Sequence, residues 1–410
     1  MTTSSSSHTD NTVILSEAKN PCISSAQPQI PRAPSRTCFW SWVGKHKCSF
    51  AILAVSIVYS LLSTVCLRAQ VRVTPNEATH RVDITIDGAP FTSYLWQTNQ
   101  RKPVLYPLIA PDGTTVTRGY PFAPLPGERT DHPHHAGLWF NYGNANGFDF
   151  WNNSDAIKPA DRPKYGTIVS LGPTGGVIST RNGPTSGDLI TKTTWYPGDH
   201  PSEPLNLTGS KPIIEQHTHY VFSKLTIDGK PSRAIDMIIT LVALQPVTFN
   251  DDKEGLLGIR VAHFLESPTE KGGTFTDTNG VATKVDSTSN AGASGIYHTS
   301  EGITGDAVWS TRGNWCYLTG NTADNKTETI AILSHPKNPG GEPYWHARGY
   351  GLFAVNPLGA HIFDPKAPPF NFALAQGASV TFRYRVLILS APASDDAMNS
   401  AEKTFAATYR

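Results

Sequence analysis

The chain has 410 residues and a formal net charge of +1, so it lacks the broad basic surface that binds nucleic acid. Charged residues make up only 16% and aromatics 10%, with nine Trp among them. This composition suits a small-molecule or oligosaccharide ligand, and equally a large β core, which aromatics also favour.

Residues 1–46 read as a disordered leader, because Ser4 to Ser7 and the Pro/Ser/Gln mixture from Ser24 to Arg36 lack apolar periodicity. Translation starting near Val43 would account for so long a leader. Residues 47–69 read as a signal peptide or an N-terminal anchor: Lys45 and Lys47 precede the apolar run Phe50 to Leu67, and Ala69 supplies a small residue for cleavage. The mature protein is then expected to begin near Gln70 and to be periplasmic or secreted, meeting a membrane only through an uncleaved N-terminal segment. Cys22, Cys38, Cys48 and Cys66 all precede that point, leaving Cys316 without an intrachain partner. It alternates with Trp315 and Tyr317 as a buried strand residue does.

Residues 70–410 form one domain in this reading. Short alternating runs lie between Gly, Pro, Asn and Asp turns. Arg81 to Ile86, Asp87-Gly88, and Phe91 to Trp96 make a hairpin signature; Ile213 to Ile227, Asp228-Gly229, and Ala234 to Leu244 make a longer one. Further strands are expected at Gly258 to Leu265, Trp315 to Leu318, Glu328 to Leu333, Gly351 to Asn356 and Ser379 to Leu389. Only Ser394-Asp395-Asp396 marks a helix start, for a short C-terminal helix. The fold class is all-β: a large antiparallel β-sandwich, a supersandwich of the mutarotase type, with a jelly roll as the alternative. No dinucleotide fingerprint, P-loop, nucleophile elbow or HExxH motif is present.

Asp131-His132-Pro133-His134-His135 sets three imidazoles and a carboxylate around a proline that excludes helix. In an extended chain His132 and His134 share one face, with Asp131 and His135 on the other. Imidazoles titrating near neutrality suit proton transfer or metal binding; solvated loop histidines are the plainer alternative. Glu215, His217 and His219 share a strand face, a pattern that aims two imidazoles at one metal or else lines a wet surface. Asn250 to Gly255 is a solvated turn or, with Arg260 on the next strand, places Glu254 in a cleft as a general base. His346 and Arg348 share an extended face beside Tyr344 and Trp345, which could form a stacking wall.

Four ordered blocks carry a resemblance: Asp131-His132-Pro133-His134-His135-x-Gly137-Leu138; Asn146-Gly147-x-Asp149-Phe150-Trp151; Lys253-Glu254-Gly255 with Arg260; and Trp345-His346-x-Arg348-x-Tyr350-Gly351 with Asn356-Pro357. From about Val71 to Leu389 the chain is similar to the PmoA-like family of uncharacterised exported bacterial proteins. The resemblance implies a soluble β domain associated with sugar oxidoreductases, and hence carbohydrate chemistry.

The resulting expectation is an exported enzyme acting on a glycoside or oxidised sugar by hydrolysis, elimination or epimerisation. His134 or His135 and His346 exchange protons, and Glu254 serves as base or orients a histidine. Asp131, Arg260, Arg348 and Tyr350 bind the substrate, with Trp139, Trp151 and Trp345 stacking on it. The alternatives are a non-catalytic glycan-binding envelope protein and an oxygenase. The latter would hold one divalent metal on His132, His134 and one of His217 and His219.

Overall fold

A computed structural model describes residues 70–409 except 97–98, 172–173, 202–203 and 288–291. The expected leader and signal or anchor lie outside the described residues. Two antiparallel sheets dominate. The first has eight strands, in the spatial order Val71–Asn76, Arg81–Ile86, Ala89–Leu95, Val104–Leu105, Leu138–Tyr142, Gly255–Arg260, Leu352–Asn356 and Tyr344–Arg348. The second has nine: Ile296–Thr299, Trp315–Asn321, Thr327–Ser334, Ser379–Leu389, Lys230–Ala243, Ile214–Ile227, Ser186–Pro197 and Gly166–Val169 in order, with Val177–Arg181 also pairing on Ser186–Pro197.

Alternation makes these strands. In Arg81–Ile86 the apolar Val82, Ile84 and Ile86 are buried between more exposed neighbours. Asp87 and Gly88 both take positive φ, as do Asp228 and Gly229, which is the type I′ geometry that matches strand twist. The second of these turns joins a hairpin in register from Ile227↔Lys230 to Ile214↔Ala243. Its inward residues, including Ile214, Tyr220 and Phe222, join the core, and His217 and His219 point outward.

The inner faces meet through Phe91 on Phe222, Tyr94 on Tyr220 and Phe140 on Phe382, at ring separations of 6.2, 5.8 and 5.8 Å. The fold is therefore a large antiparallel β-sandwich of supersandwich size. Cys316 is buried in its strand, as packing requires. The C-terminal helix Asp395–Thr408 is capped by Ser394, whose hydroxyl accepts from the Ala397 N–H at 3.2 Å. Its Ala397, Met398, Ala401 and Phe405 cover Leu333, Leu387 and Leu389 of the second sheet. The strand expected over Gly258 to Leu265 instead stops at Arg260, and His263–Leu265 forms a 3-10 turn. Among the described residues no helix is long and apolar enough to cross a membrane.

Candidate functional site

The eight-stranded sheet turns one face to the core and the other to loops. On the loop side, register aligns His346, Ala354, Gly258 and Trp139 across four adjacent strands. Two residues along, Arg348, Leu352 and Arg260 form a second row. Small residues in the middle of the first row make room for an indole. A Cβ at Gly258 would lie 2.6 Å from Trp139 Cζ2 and 2.9 Å from Trp151 Cη2, so Gly258 is needed for this close approach. Trp151 thus lies between two parts of the site: its ring is nearly parallel to His346 at 6.5 Å, and its Nε1–H donates to His135 Nε2 at 3.2 Å.

The histidine run is a turn, not the extended segment expected. His132 takes φ +44°, and the His135 N–H reaches back to the His132 carbonyl at 2.9 Å. The turn brings His132 and His135 into parallel stacking at 4.9 Å and sets His134 edge-on to His135 at 4.3 Å. After it, Gly137 at φ +62° admits no side chain, because a Cβ would come 2.3 Å from the Leu105 carbonyl oxygen.

A buried arginine holds this turn. Arg118 is fully buried and donates to four carbonyls, those of Arg129, Asp131, His132 and His135, at 2.9 to 3.1 Å. It also meets the Asp131 carboxylate at 2.8 Å, where Arg260, likewise fully buried, arrives at 2.6 Å. The other Asp131 oxygen faces His132 Nδ1 at 3.1 Å. Burial works to raise the Asp131 pKa, but the bond to His132 and the charges of Arg260 and Arg118 together hold it well below the usual carboxylate range. Asp131 is therefore a fixed anion and His132 an imidazole oriented by it. Tyr350 stacks on His132 at 5.1 Å and receives the Arg260 guanidinium 4.9 Å from its ring centre.

The remaining histidines are held neutral. Burial lowers His134 and His135 well below the ordinary value, with Lys102 and His134 respectively the strongest neighbouring charges. His135 accepts at Nε2, so its proton sits on Nδ1, which has no partner among the described residues. His346 donates from Nδ1 to the Lys253 carbonyl at 3.0 Å, and burial pushes its pKa down to about 3. Glu254 lies 3.7 Å from the same nitrogen and is ion-paired with Lys253; burial raises its pKa. Lys102 is buried over Trp139, donates to the His134 carbonyl at 2.7 Å, and is pushed down to about 7 by burial.

Beside this floor opens a cleft of about 690 Å³. Asp131, Arg348 and Tyr350 line it, together with Arg129, Lys271 and Trp309. The Arg348 guanidinium lies 4.2 Å from the Trp309 ring centre, and Trp309 in turn touches His346 at 4.8 Å.

The sheet thus brings together the histidine run, Arg260, Trp151, His346 and Arg348, while several expected roles change. Trp345 is 0% exposed and packs into the sandwich core against Phe353, because odd residues of its strand face inward. Trp139 and Trp151, at 1% and 0% exposed, form the floor and offer no open face for stacking. Glu254 and Arg260 do not share a niche: they flank a strand segment of about 20 Å at roughly 3.3 Å per residue, and each has taken other partners. His217 and His219 lie on the outer face of the other sheet, bonded to Glu215 and Asp188 at 2.7 Å, and cannot join His132 and His134 around one metal. Among the described residues no cluster of three or more His, Cys, Asp or Glu is arranged to hold a metal ion.

Arg118, Lys102 and Trp309 were not among the expected site residues. The available signal was a basic residue inside apolar sequence, in Val116-Thr117-Arg118 and Lys102-Pro103-Val104-Leu105. Trp309 has no such signal.

Fold and site define an all-β sandwich that carries a charged cleft beside a buried cluster of aromatic and imidazole rings. The chain belongs to the Family of unknown function (DUF6807), whose sequence profile matches residues 81–403 and so spans every residue of this site. No curated protein matches the chain at a significant level. Among solved structures, a protein assigned as an aldose 1-epimerase from Escherichia coli K12 is similar over 78% of this chain and 99% of its own, at 11% identity and TM-score 0.32. Galactose 1-epimerase from Lactobacillus acidophilus NCFM is similar over 79% and 100%, at 10% identity and TM-score 0.30. A protein assigned as a kojibiose phosphorylase from the human microbiome is similar over 54% of this chain, at 11% identity and TM-score 0.23; the chain spans only 21% of it. Likenesses this loose carry no argument about what the chain binds.

Proposed function

We propose that this chain is an exported carbohydrate-active enzyme that works on a glycoside or oxidised sugar by acid–base chemistry, with His132 as the proton-transfer group. One observation carries the reading: an exposed imidazole, stacked on Tyr350 of the cleft wall, has Nδ1 against a carboxylate, and that carboxylate is kept ionised by two buried arginines. An imidazole oriented in this way can take a proton at its second nitrogen, and the fixed anion stabilises the imidazolium that forms. Asp131 orients, Arg348 and Tyr350 bind the sugar, and Arg118 and Arg260 hold the carboxylate. His134, His135 and His346 are buried and neutral, so the proton-transfer role first given to them passes to His132. The Lys253 carbonyl orients His346 beside Trp151, and Glu254 stands next to that ring, paired with Lys253.

A carbonyl next to the transferred hydrogen makes a sugar C–H acidic enough for an imidazole, which favours oxidised sugars over simple glycosides. Export belongs to the same reading and rests on Lys45 and Lys47 ahead of the apolar run to Leu67. The four blocks similar to the PmoA-like family supply most of the ring cluster beside the cleft. Turnover of a panel of glycosides and 3-keto-glycosides, measured against pH, tests the proposal: activity rising with deprotonation of one imidazole supports it. Binding without turnover of any panel member would favour the glycan-binding alternative, which the neutral, buried state of His134, His135 and His346 also fits.

A further inference from the structure

The cleft has more cationic than anionic side chains. Of the groups lining it, Arg129, Lys271 and Arg348 are cations, and Asp131 and Asp306 are carboxylates. Asp131 cannot neutralise them, because Arg118, Arg260 and His132 already occupy its oxygens. Asp306 accepts from the Ser267 hydroxyl at 3.0 Å and forms no ion pair among the described residues. Glu266 is committed to Arg129 and His263, at 3.3 and 3.2 Å. Arg348 makes no side-chain hydrogen bond or ion pair among the described residues, and its guanidinium lies over the Trp309 face. Behind the wall, Arg260 is fully buried and already neutralised by Asp131 at 2.6 Å, with Glu266 at 4.0 Å, so it does not compete for a ligand of the cleft.

The aromatic surfaces cannot take over recognition. Trp139, Trp151 and Trp345 are buried, and Arg348 already lies over Trp309. A ligand of this cleft must be selected mainly by charge and hydrogen bonds. With Asp131 held by Arg118 and Arg260, and Arg129 paired with Glu266, the remaining Lys271 and Arg348 against Asp306 leave a single positive charge, which suits a monoanion better than a phosphate dianion.

We infer that the ligand is a sugar acid whose carboxylate is taken by the Arg348 guanidinium, with Lys271 and Arg129 beside it. The inference rests on the carbohydrate reading above and narrows it to anionic sugars. Guanidinium suits this task because its planar fork meets both carboxylate oxygens.

The test titrates the full chain by calorimetry with matched methyl glycosides that differ only in carrying a carboxylate or a hydroxymethyl group, in the gluco, galacto and manno series, with acetate and inorganic phosphate alongside. The expected result is at least one uronide binding about tenfold or more tighter than its neutral partner, the order of one hydrogen-bonded charge pair. That preference should weaken with added salt and fall to near unity in Arg348→Gln. Thermal melting checks that the variant is folded; if it is not, Lys271→Gln is read instead and should cut the preference severalfold. A neutral partner that binds as well as its uronide overturns the charge inference and leaves the carbohydrate reading standing. Acetate or phosphate binding as tightly as any uronide overturns the sugar part of the inference. Binding of none of these ligands overturns the inference and the carbohydrate reading together.

Discussion

On the outer face of the nine-stranded sheet, His217 and His219 each meet a carboxylate at 2.7 Å, with Lys192 and Arg181 completing the pairs, and the basic side chains remain well exposed. On the outer face of the eight-stranded sheet, the same residue types lie under loops: Arg118, Arg260, His134, His135 and His346 are all buried. Water screens the first set, so its ion pairs contribute little. In the second set each charge depends on a particular partner, and removing one leaves another stranded. The covering loops convert a common pattern of His, Arg and Asp into an electrostatically committed site.

The largest difference between the two faces should be in turnover. His132→Ala is expected to lower activity on a proven substrate by about two to four orders of magnitude, whereas His217→Ala leaves it within about twofold, a shift below the usual surface-mutation scatter. Comparable losses in both variants would erase the distinction. Next comes stability: Arg118→Met strands four buried carbonyls and takes from Asp131 one of its two arginines, and should cost about 3–5 kcal/mol in urea unfolding. A cost below about 1 kcal/mol would mean that the buried arginine behaves like a surface one.

Acid sensitivity is the third contrast. Folded His346 protonates only near pH 3, but its unfolded ring does so near 6.5. Between those values the unfolded chain binds more protons, so stability falls as pH drops through 6.5 toward 3. His134 and His135 act in the same direction. His346→Gln should make the decline of melting temperature with acid shallower. Lys102 works at the other end: its folded pKa of about 7 lies below the ordinary 10.5, so stability rises from pH 7 to about 10.5. Lys102→Met should flatten that rise. Unchanged slopes in both variants would show that these groups are solvated. The smallest effect is expected for Glu215→Gln on the open face, within about 0.5 kcal/mol.

The two faces also differ in how far the sequence reveals them. The alternation of Ile214 to Phe222 was enough to set His217 and His219 on the face opposite Ile214, Tyr220 and Phe222, because a strand has a period of two, and the structure makes that face the outer one. The same rule placed His346 and Arg348 together and opposite Trp345 once the strand was accepted, yet the notion of a Trp345 stacking wall ignored which face the core would take. It failed at Asp131 to His135, where the expectation was extended backbone. The turn there depends on Arg118 satisfying its carbonyls from outside the segment, and no local pattern shows a donor arriving from another part of the chain. Trp151 was legible as a motif residue but not as floor, since that requires Gly258 and Ala354 to lie opposite each other in register. Trp309 depends entirely on tertiary placement.

The central claim, that ligand meets the protein at His132 and Arg348, is tested most directly by NMR of histidine-labelled protein titrated with a uronide that binds. The account predicts that the His132 imidazole resonances shift in proportion to occupancy, while those of His217 and His219 stay where they were. Shifts confined to His217 and His219, or saturable binding that leaves His132 unmoved, would contradict it.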